Sequence, residues 1–530
     1  MLRRHAAIAF LALATVFGTG QKAAEASAHA PRDEFYRATE PAETAAPALP
    51  ADAPAVAPDE SELTWADRID ARLADLQRQA EARRTLPASP TATDAELQQR
   101  LEALARGVHE DATVGIAIRE LETGASVFEW DAERSLNPAS NHKLLTAAAA
   151  LELLGDDYRF ETQVLRDGDA LVLVGEGDPS LQLHDLEALA ERVAASVDLS
   201  EIRRIVVDDT AFSDRRFGPG YDPEGPGVSY MAPSGALSLQ FNTVEIEVRG
   251  AKAGRAVRVS VSPPSAHLDV RSTASGGKGG LSVQTWADGD RTVVDVRGHL
   301  PAGSRYEKRR RITDPGMFTG NAFAELLRSR GATGLSVGRG TAQDTATTVT
   351  THRSEPLPLV LESALAYSNN FTTEQLLRTL GWRATGQPGS WDNGRPVLER
   401  YWAAAGLPVD DLVFENASGL SSRGRITAAA LADLLAFATR PDSPAAALVD
   451  ALPIAGRQGT LRGRLRHSRG RVRAKTGTLR GASALSGIIE AEGGQHLGFS
   501  ILVNGPVSPT LSRRMQDRVV MALVEHGAAH

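Results

Sequence analysis

The chain has no cysteine. That removes together a lipid-modified N-terminal cysteine, a disulfide framework, thiolate catalysis and cysteine-ligated zinc. Its twelve histidines are scattered and form no HExxH pair, so metal catalysis has no support and no cofactor is expected. Positive charge is also short. The net charge of -8 offers no field for nucleic acid, and the nearest thing to a basic run, Lys308-Arg309-Arg310-Arg311, is expected to be a solvated loop. No apolar run reaches the roughly 20 residues of a spanning helix; the best candidate, Ala6 to Gly18, is shorter. With Arg3 and Arg4 before it and the small residues Ala24 to Ala30 after it, residues 1–30 are expected to be a secretory signal peptide rather than an anchor.

What is present is ordinary globular material, 530 residues with 42% hydrophobic and 23% charged, enough for about three domains. Residues 31–62, rich in Ala, Pro and acids, are expected to be a disordered linker. Apolar stripes at Ile69, Leu73 and Leu76, then at Leu97, Leu101 and Leu104, predict packing helices, the first within an extension spanning 63–94. Thr113 to Trp130 alternates about a Thr-Gly turn as a hairpin does. An Ala/Leu helix then runs from Ser140 to Gly155. Short strands fill Asp156 to Thr345, with a helical segment at Gly320 to Arg330 near the end; helices are expected to resume at Leu357, Phe371, Pro396 and Ile426, and alternating strands and a helix close the chain. The predicted fold is α/β and multi-domain: one domain (95–156 and 346–530) is split by a mostly β insertion (157–235 and 303–345), itself holding a nested β domain (236–302).

Three short motifs carry chemistry. In Ser140-Asn141-His142-Lys143 a three-residue helical step sets the amine over the hydroxyl for proton exchange. Ser275-Gly276-Gly277-Lys278 repeats the letters, but its glycines favour a turn. Lysine is rare, six against 52 arginines, and a lysine can lose its proton where an arginine cannot. Ser368-Asn369-Asn370 opens a helix; its hydroxyl beside Lys143 can relay a proton, and the Asn370 amide can hold both the lysine and a substrate carbonyl. Ser135-Leu136-Asn137 is its decoy. Lys475-Thr476-Gly477-Thr478 is the sole Lys-Thr-Gly and lies on a strand, where a cation, two hydroxyls and a bare glycine can pair with an extended peptide and grip its terminal carboxylate. Lys475 is also expected to bias Lys143 toward neutrality by repulsion.

In this order the motifs resemble those of the penicillin-recognising serine enzymes. Within them the chain is similar to the low-molecular-mass class C penicillin-binding proteins, which are D-alanyl-D-alanine carboxypeptidases/endopeptidases. The likeness extends to Asn137-Pro-Ala-Ser140, Gly175-Glu-Gly-Asp-Pro179, Ala236-Leu-Ser-Leu-Gln-Phe-Asn242, Ser418-Gly-Leu-Ser421 and Gly459-Thr-Leu461, covering the chain from about Ala95 onward. It implies a penicillin-binding/β-lactamase-like domain of helices packed on an antiparallel sheet. Ser140 is then the nucleophile, Lys143 the base, and Ser368 the relay to the leaving D-alanine, with Asn370 and Lys475 completing the catalytic set and Thr476, Gly477 and Thr478 binding substrate. The backbone amides of Ser140 and Thr478 form the oxyanion hole. The implied partners are peptidoglycan stem peptides and covalently bound β-lactams, in the periplasmic or cell-wall space. His142 and Glu176 depart from what relatives often carry, but neither is a motif residue.

Two rival functions share these features. A β-lactamase would carry all three motifs, yet 228 positions separate Ser140 from Ser368 and no Glu-x-x-Leu-Asn follows to supply a deacylating glutamate. A catalytically silent wall-binding protein would tolerate the loss of a motif residue, and none is lost. The residues leave open the oligomeric state, the deacylation base and the preference between carboxypeptidase and endopeptidase action.

Overall fold

The computed structural model describes residues 63–84, 95–108, 110–409 and 412–526. The expected signal peptide and linker lie outside them. Five strands form an antiparallel sheet in the order Val472–Leu479, Ala482–Glu490, His496–Asn504, Thr113–Glu120 and Ser126–Trp130. The hairpin near the start of the chain therefore completes a sheet whose other strands come from its end. Alternating side chains of Ala482–Glu490 and His496–Asn504 enter two different cores. Ala484 and Leu502 face one, while Leu485, Ile501 and Val503 face the other. Helices cover both faces, so these strands are buried along nearly their whole length.

On the first face the helices His142–Leu154, Leu357–Tyr367, Asn370–Thr385, Trp391–Ala404 and Ala428–Ala438 share one core; Ala95–Arg106 and Pro509–Val524 cover the second. The helix expected at Pro396 starts at Trp391, because Ser390 and Asn393 form a capping box there and Pro396 is carried inside it.

The expected extension is an integral part of the first core. Ile69, Leu73 and Leu76 of the helix Trp65–Arg84 are buried in it, and Arg72 donates to Glu152, a fully buried carboxylate on the helix that follows Ser140. The other Glu152 oxygen accepts from Ser443 Oγ at 2.5 Å. Arg72→Met is therefore expected to cost about 1–3 kcal/mol, since it strands part of a buried charge. Denaturant unfolding checks this, and an unchanged midpoint would show that the ion pair does not hold the helix in place.

The insertion is built on a second five-stranded sheet, ordered Ser336–Arg339, Arg204–Asp208, Ala170–Gly175, Glu161–Asp167 and Thr347–Arg353. Two three-stranded sheets follow, one joining Leu268–Ser272, Arg291–Gly298 and Leu281–Asp288, the other Arg305–Arg311, Thr243–Arg249 and Arg258–Ser262. Strand pairing moves both expected boundaries. Thr347–Arg353 pairs with Glu161–Asp167, so the insertion's sheet extends past 345, and Arg305–Arg311 pairs with Thr243–Arg249, past 302. Neither strand shows an apolar alternation, one being mostly threonine and the other mostly charged. One hydrophobic core runs through all three sheets of the insertion. Two helices pack on the insertion: Pro315–Arg328, where a helical segment from Gly320 to Arg330 was expected, and Leu183–Ser196, which was not.

Lys308–Arg311 is correspondingly no solvated loop. It forms the end of a paired strand, and the buried Arg311 guanidinium donates to the carbonyls of Asp222 (2.7 Å) and Pro223 (2.6 Å) over the ring of Phe217.

Candidate active site

Ser140 lies in a single tight turn, Ala139–Asn141, that runs directly into the helix His142–Leu154. Asn137 builds the turn: its Oδ1 accepts from Ala139 N at 2.8 Å, and its Nδ2 donates to the carbonyls of Ser421 and Ser422. This is the asparagine of the sequence decoy, and its role is structural. Asn141 pins the turn to the sheet by donating to Ser486 Oγ at 2.6 Å. Ala139 takes a left-handed φ of 46°, a strained conformation of the kind that collects at functional sites. Gly419 makes room for it, since a Cβ there would lie 1.9 Å from the Ala139 carbonyl oxygen.

Lys143 Nζ stands 3.2 Å from Ser140 Oγ, 2.7 Å from Asn370 Oδ1 and 2.6 Å from the Ser418 carbonyl. Its side chain is fully buried, and burial pushes its pKa down to about 7, against the opposing pull of the Glu374 charge. The amine thus loses its proton near neutrality while touching the hydroxyl it would deprotonate. The repulsion expected from Lys475 is felt at the other end: Lys475, also fully buried, is held well below the usual lysine range first by burial and then by Lys143.

Ser368, Asn369 and Asn370 form a joint between two helices, and each has its own task. Ser368 ends Leu357–Tyr367 in the left-handed region (φ 58°), which swings its hydroxyl out; Asn369 Oδ1 caps the next helix by accepting from Phe371 N; Asn370 is that helix's first residue. Ser368 Oγ accepts from Lys475 Nζ at 3.0 Å, so a relay through this hydroxyl runs toward Lys475. Asn370 holds Lys143, as expected, while its Nδ2 donates to the Tyr230 carbonyl at 2.9 Å.

Lys475, Thr476, Gly477 and Thr478 follow one another along Val472–Leu479, an edge of the five-stranded sheet. One side of this strand is paired with Ala482–Glu490; on the other, an Ile454–Arg473 bridge covers its first residues, and from Lys475 to Leu479 it has no strand neighbour among the described residues. Burial falls from Lys475 to the exposed Thr478. Gly477 is bare because the strand runs against the turn that holds Ser140, where a Cβ would lie 2.7 Å from the Pro138 carbonyl. The decoy Ser275-Gly276-Gly277-Lys278 is elsewhere, in the insertion, with Lys278 exposed.

Two participants lack any sequence motif of their own. Glu374, one helical turn after Asn370, is buried and accepts from Ser418 N (3.0 Å), Ala417 N (3.3 Å) and Trp391 Nε1 (2.6 Å). Burial raises its pKa, while those bonds and the Lys143 charge oppose the rise. It thereby fixes the Ser418 segment whose carbonyl holds Lys143. His142 packs edge-on against Phe414 at 5.0 Å, and burial lowers its pKa to about 4, which leaves it neutral beside Lys143. The only local hint of Glu374 was an acid at i+4 from Asn370. Among the described residues no group of His, Asp or Glu is arranged to hold a metal ion.

The arrangement is a hydroxyl and an amine poised for proton transfer, a second hydroxyl held by a second amine, and an open strand edge beside both. The family model described as "D-Ala-D-Ala carboxypeptidase 3 (S13) family" matches residues 97–526. The chain is 34% identical over 479 residues to a D-alanyl-D-alanine carboxypeptidase of Actinomadura sp. (strain R39), covering 83% of this chain and 88% of that protein. A carboxypeptidase of Mycolicibacterium smegmatis is 28% identical, over 74% of this chain and 77% of its own. Among solved structures, penicillin binding protein 4 of Haemophilus influenzae superposes with a TM-score of 0.68 at 20% identity, covering 80% of this chain and 99% of that one. That likeness shows the fold, a penicillin-binding transpeptidase-like body with extra domains.

Proposed function

The chain belongs to the D-Ala-D-Ala carboxypeptidase 3 (S13) family of serine peptidases, and we propose that it cuts peptidoglycan stem peptides through an acyl-enzyme on Ser140. The observation that carries this reading is Lys143 Nζ, buried and near its neutral form, set between Ser140 Oγ and Asn370 Oδ1 beside an open strand edge.

The substrate's extended C-terminus adds along the open stretch Lys475–Leu479 by backbone pairing, with its carboxylate at the hydroxyls of Thr476 and Thr478. Lys143 takes the Ser140 proton as oxygen attacks the penultimate carbonyl. The backbone N–H groups of Ser140 and Thr478 receive the developing oxyanion. The Ser368 hydroxyl protonates the departing D-alanine nitrogen and recovers a proton from the two-lysine pair. Water then cleaves the ester, with Lys143 again as base. Glu374 is no candidate for that step, since it is buried and its oxygens are taken by Ser418, Ala417 and Trp391. Penicillins present a similar carbonyl and carboxylate, which makes them covalent inhibitors.

The enzyme is extracytoplasmic, and we place it in the periplasmic or cell-wall space, exported by residues 1–30. No helix among the described residues is long and apolar enough to cross a membrane.

The testing experiment uses protein starting at Pro31, a peptide ending in D-Ala-D-Ala, and a labelled penicillin. Release of D-alanine with stoichiometric, slowly reversed labelling is expected. Fast, complete penicillin hydrolysis would favour a β-lactamase, and neither activity would favour a silent wall-binding protein.

A further inference from the structure

Charge is unevenly placed in this acidic chain. Between Asp450 and Glu490 there are nine Lys or Arg residues and no Asp or Glu. Three of the arginines find carboxylates at the edges of the segment: Arg464 with Asp517 at 2.7 Å, Arg471 with Glu490 at 3.1 Å and Arg473 with Asp450 at 3.8 Å. Arg457, Arg462, Arg466 and Arg469 are exposed and have no ion pair among the described residues.

The folding of this segment gathers them. The Arg457 guanidinium lies over Gly470, and the turn Arg466–Ser468 packs on the last helix, Pro509–Val524. Arg464 crosses to the same helix, bonding Asp517 and reaching the Arg513 carbonyl at 3.4 Å. That helix adds Arg513, Arg514 and Arg518, all exposed and again without an ion pair among the described residues. The result is a concentration of exposed arginines on two packed elements, interrupted by Asp517, and it adjoins the site. Thr460 Oγ1 lies 2.7 Å from Thr476 Oγ1, and Arg513 Nη2 lies 3.5 Å from Thr478 Oγ1.

A stem peptide with its few carboxylates would occupy only the end of this face near Thr478 and leave the other guanidinium groups bare. So many uncompensated cations on two packed elements match a ligand with charges repeated along its length. A membrane surface fits less well. From residue 451 to 526 the only Phe, Trp or Tyr is the buried Phe499, so the face lacks the aromatic anchors of an interfacial site. We propose that this face binds a linear anionic polymer of phosphodiester units, whose oxygens suit guanidinium forks, and so holds the peptidase against polymer-bearing wall.

The probe is synthetic poly(glycerol phosphate), titrated against the whole protein at several salt concentrations. Each phosphate contact contributes roughly 0.7 to the slope of log affinity against log salt. Four to six contacts therefore predict a slope of roughly -3 to -4. Arg462→Gln, Arg466→Gln and Arg514→Gln combined should weaken binding at least about tenfold and flatten the slope by about 2. Hydrolysis of a small D-Ala-D-Ala peptide should stay unchanged, which also reports that the variant is folded. Absence of binding at low salt, or equal binding by the triple variant, would overturn the proposal. So would salt-sensitive binding to phosphatidylglycerol vesicles without binding to the soluble polymer, which would give the face to a membrane. None of these outcomes touches the assignment of Ser140.

Discussion

Ser140→Ala is expected to release no measurable D-alanine and to take up no labelled penicillin, while remaining folded. The loss should be at least about a thousandfold in kcat/KM, or about 4 kcal/mol of transition-state stabilisation. The geometry gives the reason. Ser140 Oγ is the hydroxyl bonded to Lys143, the amine shifted to about 7, whereas the Ser368 hydroxyl accepts instead from Lys475. No second hydroxyl can inherit the role without moving a buried lysine. The alanine side chain also keeps the helix, since Ser140 caps nothing there; the turn is held by Asn137 and Asn141. Ser275→Ala serves as the control, because it removes the same motif letter from a half-buried bridge in the insertion, where its hydroxyl meets His299, and should leave D-alanine release and labelling unchanged. Normal penicillin labelling of Ser140→Ala, checked by mass spectrometry of the intact protein, would overturn the assignment.

What was legible in the sequence was local. A three-residue helical step needs no tertiary structure to bring Lys143 over Ser140, and a bare glycine in a strand marks a close approach. The Ser-x-Asn joint was only half legible. Its asparagine was assigned to a helix start, but the left-handed Ser368 arises where two helices meet, and nothing in three letters reports that. Glu374 was out of reach for a stronger reason, and Ser418 was marked only as part of a family-like segment: their part in the site exists only because one helix and one distant loop are packed together. The insertion's limits were misplaced where polar strands, Thr347–Arg353 and Arg305–Arg311, pair without an apolar face. The basic face escaped a search for consecutive charges because its arginines alternate with Gly, Leu and Ser between residues 462 and 473.

The pH dependence of kcat/KM should follow the buried lysine. In the proposed mechanism Lys143 is the base in its neutral form, so activity is expected to be low in acid and to rise as pH passes about 7, the value to which burial lowers this amine. An exposed lysine would instead put the rise above pH 10. Glu374 acts in the opposite direction, because its charge favours the protonated amine. Glu374→Gln should therefore let the Lys143 pKa fall further and move the acid limb to lower pH. Some of the maximal rate should also be lost, because the amide cannot accept in the same way from Ser418 N and Trp391 Nε1. A merely structural role for Glu374 would lower the plateau without moving the limb. Lys143→Arg should abolish the limb together with the activity, because a guanidinium stays charged throughout and cannot accept the Ser140 proton. A limb left near pH 7 in Lys143→Arg would assign the titration to another group and remove Lys143 from the role of base.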